Sequence, residues 1–200
     1  MFQKLSRFFA GLGTIVVLAV GLSGCGINAV PTQDEQVKAA WSQVLNEYQR
    51  RADLIPNLVA TVKGYAKQEQ TVFIEVAKAR AKATQTVLPS DILTNPKAFH
   101  AFEQNQAQLT GALGHLMAIS ERYPDLKSDQ NFLALQAQLE GTENRIAVAR
   151  RDYIKAVQRY NTTLRTIPSR WIAAIFYPKA KVMATFTISQ QEQQVPKVHF

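Results

Sequence analysis

Apolar residues recur three and four positions apart over most of this 200-residue chain, which places them on one face of an α-helix. The stripe occupies three long segments that are separated by proline-containing turns. Long helices with such stripes pack side by side as in coiled coils. We therefore predict an all-α fold, an elongated antiparallel bundle of three long helices plus a short C-terminal helix. The stripe residues are Trp41, Val44, Tyr48, Ala52, Ile55, Val59, Val62 and Ala66, then Phe99, Phe102, Gln106, Leu109, Leu113, Leu116, Ser120 and Tyr123, then Phe132, Leu135, Leu139, Thr142, Ile146, Ala149, Tyr153, Val157, Tyr160 and Leu164.

The first predicted helix runs from Asp34 to about Thr86. Pro56 lies inside it, and we expect a kink or break there because proline lacks the backbone N–H and clashes with the preceding turn. A helix of roughly 50 residues would be about 75 Å long, about twice the second helix. Some of its turns would therefore need to be covered by the kinked part, by the segment Trp171–Phe176 or by another copy of the chain.

Capping residues predict where the later helices begin. Asn95 is expected to cap the second helix, with Pro96 at its first position, because asparagine accepts a bond from the free N–H groups there. Ser128 is the expected cap of the third helix. The short C-terminal helix covers Trp171–Phe176 after a cap at Ser169.

The first 25 residues follow the order of a bacterial lipoprotein signal peptide. A basic head precedes the apolar run Phe8–Leu22, and the small residues after it lead to Cys25, the only cysteine. We predict cleavage before Cys25 and attachment of palmitate-containing lipid to it. The alternative is an uncleaved helix, since Phe8–Val30 carries no charge over 23 residues, near the roughly 20 that a span needs. Both alternatives give a membrane-anchored protein facing outside the cytoplasm, in the periplasm or at the cell surface.

The predicted organisation has four parts: the signal peptide 1–24, a tether 25–33, the helical-bundle domain 34–180 and a flexible tail 181–200. A single cysteine excludes a disulfide framework. Removal of residues 1–24 takes away two cations and no acids, so the formal net charge falls from +8 to +6, which suits a position beside an anionic membrane surface. We do not expect nucleic acid as a partner, because an exported protein seldom meets it.

Catalytic and metal-binding motifs are missing from the sequence. There is no Glu-x-x-His, no His-Glu-x-x-His, no cysteine pair, no Gly-x-Ser-x-Gly and no phosphate-binding glycine loop. His100 and Glu103 are three residues apart, which is typical of surface neighbours on a helix. We therefore expect no metal, no cofactor and no enzymatic activity.

Two polar clusters interrupt the apolar stripes. We interpret them as one internal hydrogen-bonding network that fixes helix register, in which Asp53 pairs with Arg145 or Arg51. The alternative is a ligand or partner site. The clusters are Arg51, Asp53 and Asn57 beside Pro56, and Glu143, Asn144 and Arg145 on the third helix.

Three blocks of the sequence resemble the LemA family, in the family's order and over about residues 34–180. The first is Tyr48–Tyr65 (YQRRADLIPNLVATVKGY), the second lies within Ser120–Ile146 (SERYPDLK, NFLALQ and LEGTENRI), and the third lies within Ala149–Ala173 (ARRDY, VQRYN, IPS and IA). The resemblance implies a membrane-anchored helical bundle outside the cytoplasm, without an established catalytic activity. It also implies envelope partners, among them a membrane protease or a TPM-domain protein.

The leading functional hypothesis is a non-enzymatic interaction or scaffolding module of the cell envelope, with a homo-oligomer as an open option. One alternative is a basic binder of an envelope polymer or anionic lipid. Another is an enzyme that uses the Asp53/Asn57 and Glu143/Arg145 clusters. The binder would use Lys78, Arg80, Lys82, Arg150, Arg151 and Lys155.

Overall fold

The computed structural model of the chain describes residues 27–84 and 88–187. No strand occurs within these ranges, and the predicted all-α bundle is confirmed. The predicted signal peptide, Cys25 and the end of the tail from residue 188 lie outside the described residues. The helices are α1 (Ala29–Tyr65), α2 (Gln70–Thr84), α3 (Pro96–Ser120), α4 (Pro124–Lys127), α5 (Gln130–Arg165) and α6 (Ser169–Phe176), with a 3-10 turn at Ile92–Thr94.

The described residues form two compact units, and α1 and α5 each contribute to both. The terminal unit comprises residues 27–38 and 156–182, and the central unit comprises residues 39–84, 88–155 and 183–187. Among the described helices, none is long and apolar enough to cross a membrane.

The terminal unit contains the first turns of α1, the end of α5 and all of α6. Its buried apolar side chains come from all three helices, as the helical stripes require. On α6 only one side of the helix is buried, at Ala173, whereas Trp171 is exposed. The buried set is Val30, Val37, Val157, Tyr160 and Ala173.

Four helical segments alternate in direction within the central unit. α2 returns along α1, since Arg80 contacts Ala52, and α3 then returns along α2, since His115 contacts Glu75. α5 runs against α1, because one end of α1 contacts the start of α5 through Tyr65 and Asp129. This is an up-down-up-down bundle, the arrangement that short connections between helices favour.

An aromatic cluster fills one end of the central unit. Trp41, Phe99, Tyr153 and Phe186 lie with ring centroids 5.0 to 6.3 Å apart, in tilted, stacked and edge-on arrangements that aromatic pairs prefer. Phe186 belongs to residues 183–187, which have no regular secondary structure and which we call the C-terminal strap. Hydrogen bonds from Tyr153 Oη to Ala184 O (2.8 Å) and from Ala184 N to Leu93 O (2.7 Å) hold the strap in place.

The break in the first helix occurs at residues 66–69 and not at Pro56. α1 continues through Pro56, which is exposed and lies on the solvent side of the helix. After Tyr65 the chain reverses, and Phe73 of α2 is buried against the bundle. The turns that would have lacked a partner in a single 50-residue helix are therefore covered by the fold-back of α2.

The predicted helix starts are partly correct. Asn95 caps α3, accepting a bond from Ala98 N at 3.2 Å, and Pro96 is the first helical residue as expected. α1 begins at Ala29, so that the last five residues of the predicted tether are helical.

Two predicted caps are wrong. Asp129, and not Ser128, accepts the N-terminal bond of α5, from Phe132 N at 2.8 Å. Ser128 instead follows α4 and donates its hydroxyl to the carbonyl oxygen of Pro124, the first residue of that helix. Ser169 is the first residue of α6 and follows Pro168, which offers no side-chain cap.

Candidate functional site

Arg51 is the centre of a polar network inside the central unit. Its side chain is almost fully buried, with 1% of the residue exposed. Nη1 donates to Thr110 Oγ1 (2.9 Å) and Glu143 Oε1 (3.1 Å), and Nη2 donates to Gln106 Oε1 (2.7 Å) and to the Gln106 carbonyl (3.3 Å). The guanidinium also lies 5.1 Å from the ring centroid of Tyr48. A buried charge requires such pairing to offset its desolvation.

A second charge pair lies one helical turn away on α1, and here the acid is on α1 and the base is on α5. Glu47, which is 7% exposed, accepts a bond from Arg145 Nε at 3.2 Å and another from Gln43 Nε2 at 3.2 Å. Arg145 Nη2 donates to Thr142 Oγ1 at 2.9 Å, and Thr142 in turn donates to the Gln138 carbonyl. α1 and α5 are thus joined by two pairs, Arg51 to Glu143 and Glu47 to Arg145.

The structure brings together three of the six polar residues that the sequence singled out. Arg51, Glu143 and Arg145 belong to the network. Asn57 and Asn144 are exposed and remain outside it. Whether these side chains form a partner site stays a prediction.

The expected pairing of Asp53 with Arg51 or Arg145 is wrong. Asp53 is exposed and accepts a hydrogen bond from Gln49 Nε2 at 2.7 Å on its own helix. Successive residues of an α-helix are roughly 100° apart around the axis. Asp53 therefore points to roughly the opposite side of α1 from Arg51 and cannot enter the same layer.

Four network members were missed by the clusters drawn from the sequence. Gln106 and Thr142 already occupied positions in the apolar stripes, and a polar residue at such a position is a signal for a buried network. Thr110 and Glu47 lie one turn from Gln106 and Arg51, on the same faces of their helices. The sequence pattern that indicates this buried network is thus a pair of polar residues four positions apart, and not a run of adjacent polar residues.

A cleft of about 340 Å³ opens beside the network. Its lining combines the two charges of the Arg51 to Glu143 pair with Glu103 and Arg150, and the C-terminal strap closes one side. Thr187 N donates to Glu103 Oε1 at 3.1 Å, and the Arg150 guanidinium lies 4.4 Å from the centroid of Phe186. The lining charges are therefore already engaged with groups of the protein itself.

Burial and nearby charges perturb the tyrosines of the central unit. Burial raises the pKa of Tyr48, and the positive charges of Arg150 and Arg51 partly oppose this rise. Burial also raises the pKa of Tyr153, with a smaller contribution from the negative charge of Glu103. Both phenols remain protonated at neutral pH and serve as hydrogen-bond donors or ring contacts.

Arginine and histidine side chains in and near the cleft already have partners within the protein. Arg51 uses both terminal nitrogens of its guanidinium within the bundle, and His100, on the cleft rim, contacts Gln104 and lies 3.6 Å from Glu103. His115 is paired with Glu75 on the surface. In the described part of the chain, no three histidine, cysteine, aspartate or glutamate side chains are grouped closely enough to hold a metal ion.

Comparison with known proteins identifies the family of the chain. The profile of the LemA family matches residues 40–200. Magnetosome protein MamQ 2 and magnetosome protein MamQ 1 of Paramagnetospirillum magneticum are each 28% identical over 170 residues, and magnetosome protein MamQ of Magnetospirillum gryphiswaldense is 26% identical over 164 residues. These alignments cover 74% of this chain, which spans about 60% of the length of each relative. The chain belongs to the LemA family.

Proposed function

We propose that this protein is a membrane-associated, non-enzymatic interaction or scaffolding module of the cell envelope. It is held at the membrane by its N-terminal segment, through lipid on Cys25 or through an uncleaved helix. The helical bundle faces outside the cytoplasm and presents the cleft beside Arg51 to a protein partner. Magnetosome proteins among its relatives support an association with a membrane system.

The observation that carries the proposal is the internal pairing of the network charges. Arg51 pairs with Glu143, and Arg145 pairs with Glu47, so these groups hold helices together and are not poised for acid–base chemistry. A bundle fixed in this way has a defined surface on which a partner can dock without inducing a large rearrangement. In this proposal the polar network keeps the bundle rigid, and the cleft contacts the protein partner.

The basic-binder alternative receives less support from the structure. Its six cations lie on two different helices, α2 and α5. Arg80 donates to a backbone carbonyl, and Arg150 lies against Phe186, so neither is simply presented to solvent. The enzyme alternative required its two clusters to converge, and Asp53 does not line the cleft.

Site-specific photo-crosslinking in the intact envelope tests the proposed contact surface. A photoreactive residue at Gln104, exposed at the cleft, should capture a defined envelope protein, with a membrane protease or a TPM-domain protein as the named candidates. The matched control is His115, which is exposed on the same helix about three turns away and lies outside the cleft. Identical products from both positions would contradict a partner site at the cleft.

Labelling with palmitate tests the proposed attachment. The wild-type chain should incorporate label and resist extraction by salt, because two or more acyl chains hold a protein firmly on a membrane. The Cys25→Ser variant should incorporate no label and retain its N-terminal segment. Label on that variant would refute acylation at Cys25, and an unlabelled wild-type chain that still sediments with membranes would favour the uncleaved helix.

A further inference from the structure

We propose that an exposed apolar face around α6 docks on the anionic phospholipid surface of the membrane that anchors the chain. This inference rests on the proposed membrane association and adds the surface by which the terminal unit meets the bilayer. We call the surface the α6 face, and it comprises Ile167, Trp171, Ile175, Phe176 and Val182.

Exposed large apolar side chains are concentrated on this short stretch. Ten such side chains occur among the described residues, and five of them belong to the α6 face. Trp171 is 60% exposed and Ile175 is 73% exposed, and their spacing of four places them on the same side of the helix. Ala173, on the other side, is buried. Scattered exposed apolar residues are ordinary, whereas a concentrated patch marks an interaction surface.

The charge around the α6 face selects an anionic partner. Residues 156–182 contain five cations and no aspartate or glutamate. None of these cations forms an ion pair with a carboxylate in the part of the chain that the structure describes. The acids elsewhere in the terminal unit, Asp34 and Glu35, both bind Lys38, each at 2.7 Å. The five cations are Arg159, Arg165, Arg170, Lys179 and Lys181.

Tryptophan and basic residues together match a lipid interface better than a protein surface. An indole ring prefers the depth of the headgroups, where its apolar body and polar N–H are both accommodated. Arginine and lysine can lay their aliphatic parts along the apolar boundary and keep their charges at the phosphates. A second copy of this chain is a poorer occupant, because a two-fold interface would place the same surplus of cations on both sides.

The chain length between the predicted anchor and the terminal unit keeps this face at the membrane. Ala29 lies four positions after Cys25, and this length of chain can span at most about 14 Å when fully extended. An uncleaved helix ending near Val30 would hold the unit at least as closely. Docking is then intramolecular, so that even a small apolar face experiences a high effective concentration of lipid.

Two tryptophans in different environments make the docking measurable in the full chain. Trp41 is buried in the aromatic cluster, and the Trp41→Phe variant leaves Trp171 as the only tryptophan, which can be excited selectively at the red edge of the absorption band. The variant is reconstituted through its own N-terminal segment into vesicles of phosphatidylcholine with brominated phosphatidylglycerol. We expect quenching of Trp171, reduced several-fold in vesicles where brominated phosphatidylcholine is the only lipid. The Trp171→Phe variant, which retains only Trp41, should show no quenching.

Paired charge variants locate the docking surface. Arg165→Gln with Arg170→Gln should lower the ratio of docked to undocked chains about 30-fold at low salt, since each cation near an anionic surface contributes about fivefold. Lys78→Gln with Lys82→Gln on α2 removes the same charge from the central unit and should leave quenching unchanged. An equal loss in both double variants would overturn the assignment to the α6 face.

The remaining outcomes separate this inference from the proposed function. A chain that floats with the vesicles while Trp171 stays unquenched overturns docking and leaves membrane association standing. A chain that does not float with vesicles overturns both. Shielding of Trp171 without lipid, together with a dimer in analytical ultracentrifugation, would identify a second copy as the occupant. If Trp41→Phe does not fold, a nitroxide on Ile175→Cys, in the chain acylated at Cys25, reports the same depth by its accessibility to lipid-soluble relaxants.

Discussion

The Nε of Arg80 in α2 lies 2.9 Å from the backbone carbonyl oxygen of Ala52 in α1. In a regular helix this carbonyl would accept a bond from residue 56, four positions later, and Pro56 has no N–H to donate. The arginine thus replaces the backbone donor that the proline removes. The same contact joins α2 to α1 and explains how α1 passes through an internal proline without a break.

We predict that Arg80→Met destabilises the full chain by about 1–3 kcal/mol, because it leaves the Ala52 carbonyl without a partner. Lys78→Met, on the same helix and exposed, should change stability by less than about 0.5 kcal/mol. Thermal and denaturant unfolding followed by circular dichroism measure both.

Combining Arg80→Met with Pro56→Ala tests directly whether Arg80 replaces the backbone donor that Pro56 lacks. Alanine at position 56 restores the helical donor, so Arg80→Met should cost less in the Pro56→Ala background than in the wild-type chain. The difference is the coupling free energy of a double-mutant cycle. Strictly additive effects would show that the arginine stabilises α2 in another way.

A second prediction concerns the buried network. Arg51→Met should destabilise by about 1–3 kcal/mol, because it leaves the buried oxygens of Gln106 without a donor, whereas water can solvate the partly exposed Glu143. Glu143→Gln should cost less, since 40% of that side chain is exposed and water can replace its bonds. Arg50→Met is the matched control on the adjacent exposed position, and equal effects at positions 50 and 51 would contradict a central role for Arg51.

The buried faces of the helices could be predicted from the sequence because each face is determined by the spacing of apolar residues within that helix. Trp41, Phe102 and Leu139 are all buried as their spacing requires. The polar network was only partly predictable, since adjacent residues such as Glu143 and Asn144 point in different directions. Which arginine meets which carboxylate depends on the register between α1 and α5, and no local pattern encodes that register.

The reversal after α1 could not be predicted locally. Residues 66–69 contain neither proline nor glycine, while Pro56 offered a strong but misleading signal. The position of the turn is determined by tertiary contacts on either side of it. Tyr65 Oη donates to Asp129 Oδ2 at 2.8 Å, and Gln68 Nε2 donates to Tyr123 Oη at 3.0 Å.

A third prediction is that the central unit loses stability in alkali through Tyr153. Burial raises the pKa of this phenol above its ordinary value of 10.0. Below pH 10 both the folded and unfolded states are protonated and the contribution is complete. Above it the unfolded state releases a proton that the folded state retains, so the free energy of unfolding falls by about 1.4 kcal/mol per pH unit.

The Tyr153→Phe variant should show a shallower decline above pH 10, because it lacks the ionisable group. At neutral pH it should lose about 1 kcal/mol, the typical value of the hydrogen bond that the hydroxyl donates to Ala184. Unfolding midpoints between pH 7 and pH 11 provide the measurement. A decline of unchanged slope in this variant would exclude Tyr153 as the responsible group.

A fourth prediction distinguishes the two residues before α5. Hydrogen bonding from Phe132 N, and then from the Tyr65 hydroxyl, lowers the pKa of Asp129 below 3.8. The contribution of Asp129 to the free energy of unfolding is therefore complete above pH 3.8 and is lost as the pH falls through the lower pKa of the folded state. Asp129→Ala should lower the unfolding temperature at pH 7 and abolish this part of the acid dependence. Ser128→Ala should leave both almost unchanged, and a larger effect of Ser128→Ala would restore it as the cap.

The C-terminal strap gives the cleft a wall that belongs to no helix. Phe186 and Thr187 reach the cleft only while the strap is held by Tyr153, Leu93 and Glu103. Any partner that contacts these residues must therefore stabilise the attached form of the strap. By thermodynamic reciprocity, a force or a protease that detaches the strap weakens the binding of that partner by the same free energy. If the cleft binds the proposed partner, attachment of the C-terminal strap and binding of that partner are therefore coupled.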